Sequence, residues 1–438
     1  MKPPSALPVR FDPQRRAASK ELKTALLALI EFLEGREAVL GLRQRARKEG
    51  DRRHFHLAIE AIACNLAWLS MTGPDQTLAV PRSSGAMWSK SRYRSPVYGQ
   101  HFLDVLNLMA HPEIALIANI ARGYRFANGD AGQSLVLPKP AFFEFVPEAI
   151  VSWNAFVNAE APEVLILKGP KDRKTGRSEI IDYPETATTR RRRKEIQRIN
   201  SSLLAAPIKI AADCKGIGFA EDGQPIDPNR RTVRRIFNNG DWTQGGRLFD
   251  GFWESMRRSD RFRIIRICTA MNPEGEHIAN VDFGQLFPVL AYLRLNQSPP
   301  EGDLYDIAGD GSDREGWKKL INAMLFSIEP MRRWPRETSS LFSTGTKLAD
   351  AQRRIIEFHA PIAGLFCTGV GFRLMLIESE ILIAALGRLL QLGITALPLH
   401  DSVLVAQSEA RRAKEVLAEA FSQFNEAAGR AKIKIDIG

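Results

Sequence analysis

The chain has 438 residues, 44% of them hydrophobic and 25% charged, with a formal net charge of +11. That length allows two or three domains with sizeable cores, and the balance of residue types is that of a soluble globular protein. Cys64, Cys214, Cys268 and Cys367 stand far apart with no zinc spacing among them, which excludes a disulfide framework or zinc ribbon and points to free thiols in a reducing compartment. The opening "MKPPSALPVRFDPQRR" lacks the apolar core of a signal peptide, and the most apolar stretch, "ILIAALGRLL", meets Arg388 before a membrane span is complete. A cytoplasmic protein without a membrane partner is expected.

The charge is uneven. Residues 271–438 carry 18 Lys and Arg against 21 Asp and Glu, a net of −3, which leaves +14 in residues 1–270. A basic surface concentrates polyanions and releases counterions on meeting phosphates, so nucleic acid is a natural partner, although a basic face can also be plain solvated surface. An acidic cluster beside a basic groove suits metal-dependent phosphoryl transfer.

Residues 18–72 read as two or three amphipathic helices with basic exposed faces. Within 92–145, "RYRSPVYGQHFLDVLNLMAHPEIALIAN" places Tyr98, Phe102, Val105, Leu106 and Met109 on one helical stripe, and the Gly-rich "RGYRFANGDAGQSLVLPKP" then reads as a β-hairpin. Helix, linker and hairpin in that order suggest a winged-helix-like unit with Arg122, Arg125 and Lys139 on or near the wing, or else a structural α+β insert. Residues 147–163 look like a domain boundary, with a softer one near 220–230. A strand candidate, "EVLILKG", precedes the block Arg190-Arg191-Arg192-Arg193-Lys194 that opens a helix. Five consecutive cations cannot all pair locally, so the block is a solvated face or a phosphate contact.

Further on, "GEHIANVDFGQLFPVLAYLRL" reads as an apolar strand ending at Asp282, followed by a helix with Leu286, Val289, Leu290 and Leu293 on one side. In "REGWKKLINAMLFS", Arg314, Lys318, Asn322 and Phe326 stand four apart on a single helical stripe. Such a stripe is odd for a core and suits the triphosphate, sugar and base of a nucleotide. In "GITALPLHDSVLVA" a strand–turn–strand pattern is broken by His400-Asp401-Ser402, polar groups that are costly to bury unless paired. Either they make a tight hairpin turn or Asp401 faces a metal.

These three segments, in this order, resemble motifs A, B and C of the family A DNA polymerases and the related single-subunit phage RNA polymerases. "QGGRLFDGFWESMRRSDRFRIIRI" is similar to the Gly-Arg segment that the family carries before motif A, and the combination resembles the minimal polymerases of plasmid and phage replication proteins. The resemblance covers roughly residues 235–438. It implies an α+β right-hand polymerase with an antiparallel palm sheet and helical fingers, behind a mainly helical basic N-terminal region. The implied division is 1–150 for nucleic-acid binding, 151–235 as a basic connecting or thumb-like region, 236–310 as the first part of the palm, 311–380 as fingers, and 381–438 as the second part of the palm.

The same resemblance implies roles. Asp282 and Asp401 would hold two Mg²⁺ ions, with Mn²⁺ able to substitute and a carbonyl near Phe283 completing the coordination. Arg314 and Lys318 would neutralise the β- and γ-phosphates, with Lys318 as proton donor to the leaving group; Asn322, Phe326 and Tyr305 would line the nucleotide. Arg247 would contact primer or template, His400 would pack beside Asp401 and touch the primer end, and Glu378 would lie near the nascent pair. Read from the residues alone, Glu378 and Glu380 are either capped by Arg373 or lie beside the template. Glu274, Glu276, Asp303 and Asp306 read as solvated or turn residues, Asp303 as a helix cap.

Some positions depart from the family pattern. Ser402 replaces the Glu of the DNA enzymes and matches the RNA enzymes, Asn322 stands where an aromatic or Met is usual, and Tyr305 where a phosphate-binding His stands. Phe287 occupies the place where the DNA enzymes have a Glu beside C2′, and Phe326 replaces a Tyr. A phenyl ring there leaves no room or partner for a 2′-hydroxyl, so dNTPs are expected over NTPs. No exonuclease-type segment is evident in residues 1–200. The expected function is primer extension on a DNA template without proofreading, with primer-template DNA and dNTPs as partners and a replication accessory protein as a further one. An RNA polymerase or primase of the same fold, or a non-catalytic replication initiator, are the alternatives.

Overall fold

Leu22, Leu26, Leu29 and Leu33 recur every three or four residues and form the buried stripe of helix α1 (Lys20–Val39), whose start is capped by Ser19 accepting from the Leu22 amide. This computed structural model describes residues 7–73, 76–121, 123, 132–172, 174–211, 218–424 and 433–438. Helices and several small sheets are mixed through the chain, an α+β arrangement. The chain divides into two units: residues 1–163, 214–232 and 255–257 in one, and residues 164–213, 233–254 and 258–438 in the other.

In the first unit, α2 (Glu49–Leu69) is buried on all sides from Ala61 onward and forms the centre of the core. Strands β1 (Val9–Arg10), β2 (Arg15–Ala17) and β3 (Leu78–Val80), helices α3 (Ser84–Trp88) and α4 (Gln100–Met109), strands β4 (Ile117–Ala121) and β5 (Ser134–Pro138), helix α5 (Pro140–Phe145) and strand β6 (Phe156–Asn158) complete it. The stripe Phe102, Val105, Leu106 and Met109 is buried on α4, while Tyr98 precedes the helix and stacks edge-on against Phe102. Strands β4 and β5 are antiparallel, as a hairpin requires. They are not a free two-stranded wing, however: β5 also pairs with β3, and β3 with β1, in a four-stranded sheet ordered β1-β3-β5-β4. The reason is apolar: Leu135 and Val136 are buried, which a solvated wing would not allow. Arg122 and Arg125 lie outside the described residues, and Lys139 is exposed at the start of α5.

The second unit contains strands β7 (Leu165–Lys171) and β8 (Ser178–Ile180), helix α6 (Ala187–Ala205), and strands β9 (Ile208–Ile210), β10 (Arg234–Asn238) and β11 (Asp241–Phe249). Helix α7 (Arg258–Ile264), strands β12 (Ile265–Ile267) and β13 (Glu276–Phe283), and helices α8 (Leu286–Arg294), α9 (Arg314–Phe326), α10 (Leu348–Phe358) and α11 (Gly371–Gln391) follow. Strands β14 (Leu397–Leu399) and β15 (Ser402–Ala406), helix α12 (Ala410–Phe424) and strand β16 (Ile433–Asp436) end it. One sheet runs β11-β10-β7-β8. The other runs β14-β15-β13-β12-β9, with β16 also paired to β13 and every pairing antiparallel.

Period-2 alternation gives the second sheet two different faces. On β13, Ala279, Val281 and Phe283 are buried on the face where Phe283 meets Phe421 of α12. Asn280 and Asp282 point to the opposite face. Helix α11 packs against β11, and Gly246 permits the close approach: its φ is +87°, and a Cβ there would stand 2.8 Å from the Ser379 hydroxyl oxygen. No helix among the described residues is long and apolar enough to cross a membrane.

Candidate active site

Asp282 is the penultimate residue of β13, where the strand is still paired on both sides. Its register partner on β15 is Ser402, and on β16 it is Lys434. The β14–β15 hairpin turns through His400, in the left-handed region at φ 56°, and Asp401. Ser402 is buried and its hydroxyl donates to the Leu399 carbonyl at 2.8 Å, which closes the turn from inside. The Trp253 indole N–H donates to the Pro398 carbonyl at 2.7 Å and anchors the same hairpin. The interruption of the apolar run is therefore a turn, and the turn presents Asp401 one residue from the Asp282–Ser402 pair.

Asp282 feels the charge of Asp401. Burial, and next the charge of Asp401, push the Asp282 carboxyl up to about 7, while Lys318 and Lys434 pull it down. Glu378, buried on α11, is likewise pushed up to about 7 by burial, against the pull of Arg247. Arg247 donates to both Glu378 oxygens, at 2.5 and 2.8 Å, and its guanidinium lies 5.4 Å from the centre of the Phe287 ring. Glu378 is thus held by Arg247 and not by Arg373, which is exposed in the first turn of α11. Gly246, at positive φ, lets β11 run close enough to α11 for that bidentate pair to form. Asp401 and Asp282 both act on Glu378, so three carboxyls and one guanidinium form a coupled group.

Helix α9 carries the expected stripe. Arg314 donates to Asp303 at 2.5 Å and to Glu315 at 3.0 Å, and its guanidinium lies 5.7 Å from the Tyr305 ring centre. Asp303 therefore partners Arg314 and does not cap the helix. Tyr305 is buried, its phenol pushed upward by that burial, and it lies near Asn322, whose side-chain oxygen is buried without a hydrogen-bond partner. Lys318 is exposed, and among the described residues it makes no ion pair. Phe326 stands edge-on to Phe287 with ring centres 5.4 Å apart and to Phe372 at 5.1 Å. Gly371 sits beneath Phe326, where a Cβ would come within 2.8 Å of the ring. Phe287 is buried, at 8% exposure.

Other expected site residues are dispersed. His400 is exposed, with its ring 6.1 Å from that of Phe249. The basic block is split because successive helical residues turn by about 100°. Arg190, Arg191 and Lys194 are exposed, and Arg191 pairs with Glu195 at 3.7 Å. Arg192 is buried, bonded to Glu380 and to the Trp242 carbonyl, each at 3.2 Å, and Arg193 pairs with Glu185 at 2.8 Å. Arg192 is thereby removed from the set of candidate phosphate contacts. Glu276 is not merely solvated: it accepts from Ser408 and Thr269. Lys434 and Phe372, both beside this cluster, escaped sequence reasoning; the period-2 pattern of "IKID" is the one signal that could have put Lys434 and Asp436 on a common face.

Among the described residues no group of three or more His, Cys, Asp or Glu is arranged to hold a metal ion by itself. No family model matches the chain and no curated protein matches it. Among solved structures it is similar to the POL domain of Pol1 from M. smegmatis, in complex with DNA primer-template and dNTP, at 12% identity and a TM-score of 0.29. The likeness covers 61% of this chain and 57% of that one, so the chain spans little more than half of that domain. Any functional reading therefore rests on the site's own geometry.

Proposed function

We propose that the second unit is a template-directed DNA polymerase that adds dNTPs to a primer 3′ end by metal-assisted phosphoryl transfer, without proofreading. The observation that carries the reading is the closeness of Asp282, on a central strand, to Asp401, which precedes the Asp282 register partner Ser402 on the hairpin turn, with the exposed Lys318 acting on the same carboxyl.

The donor set suits magnesium. Mg²⁺ keeps several waters and is usually bound by one or two carboxylates together with substrate phosphates, not by an all-protein cage. Burial first, and the charge of Asp401 next, push the Asp282 carboxyl up to about 7, so the site is short of positive charge, which such a cation supplies. Asp282, Asp401 and the Phe283 carbonyl would hold the metals. When bound, they supply Lewis acidity at the primer 3′-hydroxyl and the α-phosphate.

The chain's own side chains do the rest. Arg314 would release Asp303 or share its fork with it and take a phosphate oxygen, while Lys318, one turn on, neutralises the pyrophosphate and protonates it as it leaves. Phe287 and Phe326 would wall the sugar side, and Arg247, fixed by Glu378, faces the primer end near His400. Asn322 and Tyr305 would line the nucleotide from behind. Both phenyl rings favour a deoxyribose.

The test is primer extension with Mg²⁺, offering dNTPs and NTPs separately. Wild type should extend a DNA primer with dNTPs, and Asp282→Asn or Asp401→Asn should each reduce addition at least about 10³-fold while primer-template affinity stays within a few-fold, because each removes transition-state stabilisation and no strand contact. Full activity in either variant would end this reading.

A further inference from the structure

We propose that Lys434 is a further phosphate-binding cation of this site, contacting the β- and γ-phosphates of the incoming nucleotide and the pyrophosphate they become. The proposal rests on the polymerase reading for the identity of the ligand, and on strand geometry for the contact itself. Lys434 is the direct antiparallel partner of Asp282 across β13 and β16. Side chains so paired share a face of the sheet with Cβ atoms about 4.5–5.5 Å apart. The ammonium therefore rises from the sheet on the side of Asp282 away from Ser402.

Its surroundings say which way it is free to act. Lys434 is exposed, and among the described residues no carboxylate pairs with it within 4 Å. The acid nearest in sequence, Asp436, is occupied by Arg258. Yet the charge of Lys434 is felt at two carboxyls, Asp282 and Asp303. Asp303 is the residue that holds Arg314 at the start of α9. Lys434 is thus paired with Asp282 in the sheet and near enough to act on the partner of Arg314, while Lys318 acts on Asp282 from α9. Three cations on two separate elements, Arg314 and Lys318 on α9 and Lys434 on β16, act on the same two carboxyls, Lys318 on Asp282, Arg314 on Asp303 and Lys434 on both. An extended polyanion of three linked phosphates matches such a set, whereas a single phosphate would leave a cation without a partner.

A different role for Lys434 is charge balance for Asp282 alone, and the experiment separates the two. In the Asp282→Asn/Asp401→Asn background, where there is no carboxylate to balance, binding of inorganic tripolyphosphate is measured by calorimetry in EDTA, with and without Lys434→Gln and Lys434→Arg. Lys434→Gln should weaken binding about tenfold and Lys434→Arg should stay within about threefold, since arginine keeps the charge. In the otherwise wild-type enzyme, Lys434→Gln should raise KM for dNTP about tenfold with primer-template Kd unchanged. Tripolyphosphate affinity unaltered to within twofold by Lys434→Gln would overturn the proposal, leaving charge balance. Tripolyphosphate binding through Lys434 in a protein that adds no nucleotide would instead sink the polymerase reading and leave the phosphate site standing.

Discussion

At the residue scale, Asp282 shows how a site is maintained against stability. Its folded pKa, about 7, lies well above the ordinary carboxylate value. Below the unfolded value the group is neutral in both states and costs nothing. As pH rises toward 7 the unfolded chain gives up its proton first, so stability falls, and above 7 the folded chain carries an ionised carboxylate against Asp401. Without divalent metal, Asp282→Asn should therefore differ little from wild type at pH 4 and exceed it at pH 8 by about 1–2 kcal/mol, a value reduced from the full shift for solvent screening. Thermal unfolding in EDTA at the two pH values reads this, and a difference that does not grow with pH would contradict the assignment. Mg²⁺ with substrate should then stabilise wild type and not the variant. Phe287 gives a second prediction: Phe287→Ala should raise kcat/KM for NTPs relative to dNTPs, and because the ring packs on Phe326 and Arg247 it should also cost about 3 kcal/mol. Stability loss with an unchanged sugar ratio would make Phe287 a core residue only.

At the element scale, what was legible in the sequence was whatever a single element carries. The strand ending at Asp282, the hairpin around His400 and Asp401, and the stripe on α9 follow from periods of two and three to four within short windows. What was hidden depends on pairing between elements. Nothing local to Lys434 says that it stands opposite Asp282, nothing local to Arg192 says that it turns inward to Glu380, and nothing local to β4 and β5 says that β3 will join them. The Gly245-Gly246-Arg247 segment lies between these cases: a Gly pair followed by Arg was visible, but its purpose is set by α11. Gly246→Ala places a methyl 2.8 Å from the Ser379 oxygen and 3.1 Å from Leu376 at a φ of +87°. It should destabilise the protein by about 2–3 kcal/mol and loosen the Arg247–Glu378 pair, lowering the denaturation midpoint and weakening primer-template binding together. Gly245, whose Cβ would meet the Asn238 amide, offers a control that strains the backbone without touching α11.

At the scale of the whole molecule, the charge asymmetry becomes a statement about which cations are free. Residues 1–270 hold the +14 excess, but a formal charge binds a phosphate only where it is not already paired. On α6 the exposed Arg190, Arg191 and Lys194 remain, the pair of Arg191 with Glu195 being a solvent-exposed one of little strength. Arg192, by contrast, shares Glu380 with the fully buried Arg235, so it ties α6 to α11 and β10. Neutralising Arg190, Arg191 and Lys194 together should lower the slope of log K against log[salt] for primer-template binding by about one unit for each phosphate they neutralise, with the fold intact. Arg192→Ala should do the opposite: it removes the bonds to Glu380 and to the Trp242 carbonyl that tie α6 down, while Glu380 keeps Arg235, and so costs about 1–3 kcal/mol with the salt slope unchanged. Salt titrations on the two variants, run beside chemical denaturation, separate the roles, and a slope that falls with Arg192→Ala would show that its guanidinium reaches DNA despite its burial.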